Sequence, residues 1–163
     1  HDDLTGVLAR RALLEQGDRL LERYQRESTG LAVMMVDVDH FKQVNDQHGH
    51  GAGDRLLVSI AQTMARALRA DDVLGRMGGE EFAAVLPGVS PTEAQAIAER
   101  VRSAVKRQAL DATLGGPQRA TVSIGLVHSA TLGAEADMDT LLLAADTALY
   151  RAKAEGRNRV MVG

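Results

Sequence analysis

With 163 residues, of which 45% are apolar, the chain is long enough to bury a core as one domain, or at most two small ones. The absence of cysteine excludes disulfides, thiolate metal sites and thiol nucleophiles. The 19 basic and 22 acidic residues nearly balance, and the aromatic residues are only two Tyr and two Phe, which argues against a general nucleic-acid binder.

Hydrophobic periodicity predicts helices and strands that alternate along the chain. The predicted helices cover residues 10–27, 54–68, 91–107 and 139–154, the last of them capped by Asp139. The predicted strands cover residues 31–36, 73–77, 82–86, 120–127 and 160–162, and a Gly-Gly turn joins the second and third as a hairpin. Ser90-Pro91-Thr92-Glu93 predicts a capping box at a helix start.

The polar stretch 37–53 is predicted to be a loop with at most one helical turn, and residues 110–118 and 132–137 are predicted to be loops. Split βαβ units around a hairpin indicate an α/β fold of the ferredoxin-like kind.

The longest apolar run, 31–36, is far shorter than the roughly 20 residues of a membrane span, and no segment resembles a signal peptide. We therefore expect a cytoplasmic domain without direct membrane contact. The abrupt start at His1-Asp2-Asp3 suggests a single domain, 1–163, taken from a longer protein that can itself be membrane-attached.

Four carboxylates lie where predicted strands end. Asp37 and Asp39 follow the first strand, and Glu80 and Glu81 follow the Gly-Gly turn. If the hairpin tip lies beside the end of the first strand, these acids converge and resist ionisation unless a cation joins them. Oxygen ligands at the end of a buried strand suit Mg²⁺. The alternative, that they are solvated loop residues, stays open, above all for Asp39.

Several other polar residues can be interpreted either as structural or as functional residues. Lys153 and Arg157 are either helix-end cations or, if they face the acids, phosphate ligands. Asn45 and Asp54 are a turn residue and a first-turn acid on spacing alone. The pair His48 and His50 lacks the further ligands of a zinc site, so loop capping is favoured.

The sequence resembles the GGDEF domain of diguanylate cyclases over essentially its whole length. The matching segments, in family order and spacing, are Asp3-Leu4-Thr5-Gly6, Asp37-Val38-Asp39-His40-Phe41-Lys42, Asn45-Asp46, Gly49-His50, Gly53-Asp54, Gly78-Gly79-Glu80-Glu81-Phe82, Ser123-Ile124-Gly125, Ala145-Asp146, Ala148-Leu149-Tyr150, Ala152-Lys153 and Gly156-Arg157-Asn158. The resemblance implies a central five-stranded mixed sheet flanked by helices, similar to the palm of nucleotidyl cyclases and polymerases.

The activity implied is the condensation of two GTP into cyclic di-GMP with release of two pyrophosphates. The metal ligands implied are Asp37, the carbonyl of Val38 and Glu80, binding Mg²⁺ or alternatively Mn²⁺. Glu80 and Glu81 are implied as catalytic acids, and either can assist deprotonation of the 3′-hydroxyl. Lys42 is implied to offset charge during phosphoryl transfer.

The substrate residues implied by the resemblance lie on both sides of that centre. Lys153 and Arg157 match the ligands of the β- and γ-phosphates, with Phe41 and Lys42 beside them. Asn45 and Asp54 match the pair that reads guanine. Guanine offers adjacent N1–H and N2–H donors that one carboxylate can accept, whereas adenine has an acceptor at N1. His50 touches the same pocket or has a structural role.

An inhibitory site for the product is implied by Arg69 and Asp72, in the family's RxxD position, together with Arg100. Ala9 and Met77 depart from the residues usual at their positions. One domain holds one GTP, so the resemblance also implies a transient homodimer in which two domains face each other.

Three functional hypotheses follow. The first is an active diguanylate cyclase, favoured because Asp37, Glu80, Glu81 and Lys42 are all present. The second is a catalytically silent module that binds GTP or cyclic di-GMP. The third is a palm-like domain with another substrate, against which Asn45 and Asp54 argue.

Overall fold

The structure is a computed structural model that describes residues 1–27, 29–108, 120–133 and 135–163. The predicted loop at 110–118 lies outside these residues. In chain order the elements are β1 (Leu8–Ala9), α1 (Arg10–Arg26), β2 (Leu31–Val38), α2 (Phe41–His48), α3 (His50–Ala67), β3 (Val73–Gly78), β4 (Glu81–Pro87), α4 (Pro91–Arg107), β5 (Val122–His128), α5 (Ser129–Leu132), α6 (Met138–Ala154) and β6 (Val160–Val162).

The strands form one mixed sheet in the order β1-β3-β4-β2-β5-β6. β2 is antiparallel to both β4 and β5, whereas the two edge strands, β1 and β6, are parallel to β3 and β5. The predicted fold class is therefore confirmed, with six strands rather than five. The additional strand, β1, is too short to carry a periodic pattern, and its pairing with residues 75–76 is long-range.

Helices cover both faces of the sheet, which explains why every residue of β2 is buried. Successive strand residues point to opposite faces. Met34 and Val36 therefore join one core, with Ile60 of α3 and Val101 of α4. The intervening residues join a second core with α1 and α6. By the same alternation, Asp37 falls on the α6 face.

α6 lies directly on β5 because position 125 is glycine. A Cβ there would stand 2.0 Å from the carbonyl oxygen of Ala145 and 2.3 Å from the nitrogen of Leu149, both backbone atoms of α6. These distances are far below any real contact, so the helix can approach the sheet this closely only over a residue without a side chain.

The prediction of a loop at 37–53 is wrong. β2 continues to Val38, α2 occupies Phe41–His48, and α3 begins at His50 rather than at residue 54. α2 contains no fully buried residue, and only Phe41 and Val44 pack against the core, so the apolar pattern of this short helix is weak. The first residues of α3 include His50, Gly51 and Gly53, which are weak helix formers, so the sequence does not indicate where this helix begins.

Two further boundaries differ from prediction. α6 is capped by Asp137, not Asp139, because the Asp137 carboxylate accepts the backbone N–H and the hydroxyl of Thr140. A short helix, α5, ends at Leu132, so the loop predicted at 132–137 was placed one residue too early at its start. The predicted capping box is confirmed: Ser90 and Glu93 accept each other's backbone N–H groups.

Candidate active site

The tip of the β3–β4 hairpin lies beside the end of β2. Asp37 pairs in register with Glu81, and the backbone N–H of Val38 donates to the carbonyl of Glu80 at 3.3 Å. Asp37, Val38 and Glu80 line one cavity of about 320 Å³. The sequence prediction that acids of these two segments converge is thus confirmed for Asp37 and Glu80.

The Asp37 carboxylate is buried and is paired with a cation. Its Oδ2 lies 2.6 Å from the Nζ of Lys153, which projects from the last turn of α6 onto the sheet face that Asp37 shares. Burial raises the pKa of Asp37 above its ordinary value, and Lys153 opposes this effect. The carboxylate therefore requires a neighbouring positive charge to stay ionised at no large cost.

Glu81 is in a similar electrostatic position. Burial raises the pKa of its carboxyl, and the negative charges of Asp37, Asp146 and Glu80 raise it further. Asp146, on α6, was not among the predicted site residues. Its only sequence signal was its place in the matching segment Ala145-Asp146, which says nothing of a role.

Asp39 is a structural anchor. It is buried, and its carboxylate accepts hydrogen bonds from the Thr121 hydroxyl at 2.7 Å, the Ser123 hydroxyl at 2.6 Å and the Asn158 backbone N–H at 3.0 Å. The alternative of a solvated loop residue is therefore wrong for Asp39. It ties β2 both to β5 and to the segment that follows α6.

The same cavity is also lined by basic residues. Lys42 comes from the first turn of α2, Lys153 from the end of α6, and Arg157 from the loop after α6. Phe41 lines the cavity beside Lys42. Acidic oxygens and three cations thus share one opening, an arrangement that suits a polyphosphate bound together with a divalent cation.

Asn45 and Gly53 mark the place where α2 and α3 cross. A Cβ at position 53 would stand 1.9 Å from Oδ1 of Asn45, so only glycine leaves room for that amide. Among the residues that the structure describes, Oδ1 of Asn45 is buried without a hydrogen-bond partner. An acceptor in this state gains free energy when a donor reaches it. Asp54 and His50 are exposed on the first turns of α3.

The predicted inhibitory residues lie around the end of α3. The guanidinium of Arg69 holds the carboxylate of Asp72 at 2.6 Å and donates to the carbonyl of Pro87. Arg100, on α4, donates to the carbonyl of Ala67 at 2.7 Å. The structure thus brings Arg100 next to the segment that holds the other two.

Arg76 is a further contact that the sequence did not reveal. Its guanidinium pairs with Asp2 at 3.3 Å and donates to the carbonyl of Gly79 at 3.0 Å. One side chain therefore joins the first turn of the chain to the Gly78-Gly79 turn.

Within the described ranges, no group of three or more His, Asp or Glu is arranged to hold a metal by itself. Nor is any helix there long and apolar enough to cross a membrane. Metal binding at Asp37 and Glu80 would thus need further ligands, such as a backbone carbonyl, water or the substrate.

A mixed sheet with helices on both faces, and with carboxylates and cations around one cavity at the end of a central strand, suits a domain that handles nucleotide polyphosphates. More narrowly, the chain belongs to the family described as "Diguanylate cyclase, GGDEF domain", which matches residues 1–159.

Among curated proteins, the chain is 40% identical over 159 residues to diguanylate cyclase DosC of Escherichia coli, covering 98% of this chain and 34% of that protein. It is 36% identical over 162 residues to the probable diguanylate cyclase DgcT of the same organism, covering 99% of this chain and 35% of that protein. The chain thus spans about a third of the length of these relatives.

Solved structures agree with this assignment. The diguanylate cyclase SiaD of Pseudomonas aeruginosa, in complex with its activator SiaC, has a TM-score of 0.93 at 39% identity, covering 100% of this chain and 61% of that one. The coiled coil and GGDEF domain of DgcB from Caulobacter crescentus, in complex with c-di-GMP, has a TM-score of 0.91 at 29% identity. The match covers 99% of this chain and 84% of that one.

Proposed function

We propose that this domain condenses two GTP into cyclic di-GMP and two pyrophosphates, with Mg²⁺ or Mn²⁺, at the interface of two copies. The observation that carries the proposal is the single cavity that Asp37, Glu80, Lys42, Lys153 and Arg157 line. Family membership adds the reaction class, and c-di-GMP is the molecule bound in the DgcB structure.

The donor set fits a hard divalent cation. Asp37 and Glu80 supply carboxylate oxygens and Val38 a carbonyl oxygen, and the raised pKa of Asp37 reflects a carboxylate in need of a positive neighbour. When bound, Mg²⁺ supplies charge stabilisation at the phosphates and lowers the pKa of the attacking hydroxyl. Lys153, now on Asp37, is then available to the phosphates together with Arg157.

The base and phosphate ends of GTP have separate binding residues. The unpartnered Oδ1 of Asn45 can accept an N–H of guanine, and Asp54 follows Gly53 at the same helix crossing. Lys42, Lys153 and Arg157 neutralise the triphosphate. Either Glu80 or Glu81 accepts the proton of the 3′-hydroxyl, and the raised pKa of Glu81 suits an acceptor.

One cavity holds one nucleotide and supplies no second 3′-hydroxyl, so the reaction requires a second domain. Product binding at Arg69, Asp72 and Arg100 provides feedback inhibition. Arginines bind phosphates through paired N–H donors and stack on guanine faces.

The deciding experiment is incubation of the protein with GTP and Mg²⁺, with ATP as the matched control substrate. We expect cyclic di-GMP from GTP alone, and loss of turnover in Glu80→Gln, which keeps the side-chain shape but not its charge. GTP bound without turnover in the parent protein would identify a silent binding module. Unchanged turnover in Glu80→Gln would remove Glu80 from the metal site.

A further inference from the structure

Residues 156–158, directly after α6, hold an unusual backbone conformation. Their φ angles are +119° at Gly156, +64° at Arg157 and +46° at Asn158. Non-glycine residues rarely adopt positive φ, because the Cβ crowds the following carbonyl. Two such residues in succession persist only where the surrounding structure holds them.

Asn158 is held from two directions. Its backbone N–H donates to Asp39 at 3.0 Å, and its side-chain Oδ1 accepts from Nη1 of Arg102 at 2.7 Å. Arg102 lies on α4, and its side chain is only 16% exposed. Its Nε lies 3.0 Å from each carboxylate oxygen of Glu99, one turn earlier on the same helix. The guanidinium thus has a fixed orientation when it meets Asn158.

Arg157 directly precedes Asn158, which is held by Asp39 and Arg102. Its side chain lines the cavity that holds Asp37 and Glu80, and its backbone N–H donates to the carbonyl of Ala152 at 2.9 Å. The direction in which Arg157 projects is set by the backbone of residues 156–158. That backbone is fixed at its far end by Asp39 and Arg102.

We propose that Arg102 is a positioning residue for the triphosphate: it acts through Asn158 to keep the loop in the conformation that directs Arg157 into the cavity. This inference rests on the proposed function, since it assumes that Arg157 meets phosphate. Without Arg102, the loop samples other conformations, and phosphate binding must restrict it at an entropic cost.

The inference predicts a selective defect. Asn45 and Gly53, where the guanine end is proposed to bind, belong to α2 and α3, and within the part of the chain that the structure describes neither is hydrogen-bonded to residues 156–158. Loss of Arg102 is therefore expected to weaken binding of the phosphates and to spare binding of the base.

The test is calorimetric binding of two ligands in the presence of Mg²⁺: a GTP analogue with a methylene bridge between its α- and β-phosphorus atoms, and GMP. Arg102→Ala is expected to bind the analogue about tenfold more weakly, as loss of one charged contact of moderate strength would cause, and to bind GMP as the parent protein does. Arg102→Lys, which keeps the charge but not the planar fork, is expected to recover part of the loss. Lys106→Ala, an exposed position on the same helix, is the matched control.

A double-mutant cycle separates positioning from general destabilisation. If Arg102 acts through Arg157, the double variant Arg102→Ala/Arg157→Ala binds the analogue no more weakly than Arg157→Ala alone. Additive losses, or an equal loss for GMP, would overturn the inference. Should Arg102→Ala fail to fold, Arg102→Met decides the question, because it removes the guanidinium, keeps the apolar stem and leaves the residues with positive φ unchanged. A parent protein that binds neither ligand would instead overturn the proposed function.

Discussion

Substitution of Gly53 by alanine should weaken guanine binding while the domain still folds. The new Cβ would lie 1.9 Å from Oδ1 and 3.0 Å from Cγ of Asn45, and 3.1 Å from Cζ of Phe41. The amide of Asn45 must therefore swing aside, which a flexible side chain can do. The backbones of α2 and α3 need move little.

The effects on stability and on binding are expected to be of similar size, and both are small enough for the domain to remain folded. Overpacking lowers the free energy of unfolding by about 1–3 kcal/mol. Replacement of a helical glycine by alanine raises it by about 0.5–1 kcal/mol. The net loss of unfolding free energy should be about 0–2.5 kcal/mol. A lost hydrogen bond from Asn45 to guanine is worth about 0.5–1.5 kcal/mol, so GTP should bind roughly two- to twelvefold more weakly.

Gly51 is the matched control because it lies on the same helix. A Cβ there would meet only Nη1 of Arg55, at an ordinary 3.5 Å. Gly51→Ala should keep its GTP affinity and lose no stability. Urea unfolding measures stability, and calorimetry compares the methylene-bridged GTP analogue with inorganic triphosphate, which has no base. If Gly53→Ala binds the analogue as tightly as Gly51→Ala does, Asn45 does not read the base from its observed position.

Three further predictions address inhibition, assembly and pH. Arg69→Ala should let cyclic di-GMP accumulate further while the initial rate stays close to that of Arg66→Ala, its control on the preceding turn; identical inhibition curves would place the product site elsewhere. Initial rate per domain should rise with protein concentration in samples stripped of product, because two domains must meet; a flat dilution series would contradict this. Since burial raises the pKa of Glu81 in the folded state, the folded metal-free protein holds its proton more tightly than the unfolded chain. Stability should therefore fall as pH rises from the ordinary glutamate pKa through the folded value. Glu81→Gln should flatten that fall in urea unfolding at about pH 4–8, and parallel curves for the two proteins would count against the burial effect.

The sequence predicted the parts of the site that follow from strand ends. Asp37 and Glu80 flank apolar runs, and the alternation of elements predicts both the strands and the hairpin. Whether the hairpin tip lies beside the end of the first strand was left open by the sequence, and the pairing of β2 with β4 places it there.

Other parts depend on contacts between distant positions. Asp39 has its partners 82 to 119 residues further along the chain, so nothing in its neighbourhood distinguishes an anchor from a solvated acid. α2 is not evident from the sequence because only two of its residues, Phe41 and Val44, pack against the core, and its close contact with α3 at Gly53 leaves no local signal. The link from Arg102 to Asn158 spans 56 residues and leaves no local signal either.

Gly125 affects the ion pair of the site as well as the packing of α6 on β5. α6 carries Lys153 at its last turn, and β5, on which α6 lies, is hydrogen-bonded to β2 and so to Asp37. The spacing between α6 and the sheet at residue 125 therefore affects the distance between the Lys153 ammonium and the Asp37 carboxylate. Nζ and Oδ2 of this pair are 2.6 Å apart. A methyl group at this position, which does not line the cavity, would push α6 away from β5 and so draw Lys153 off Asp37. A glycine on β5 thus sets the distance between the two opposite charges of the site.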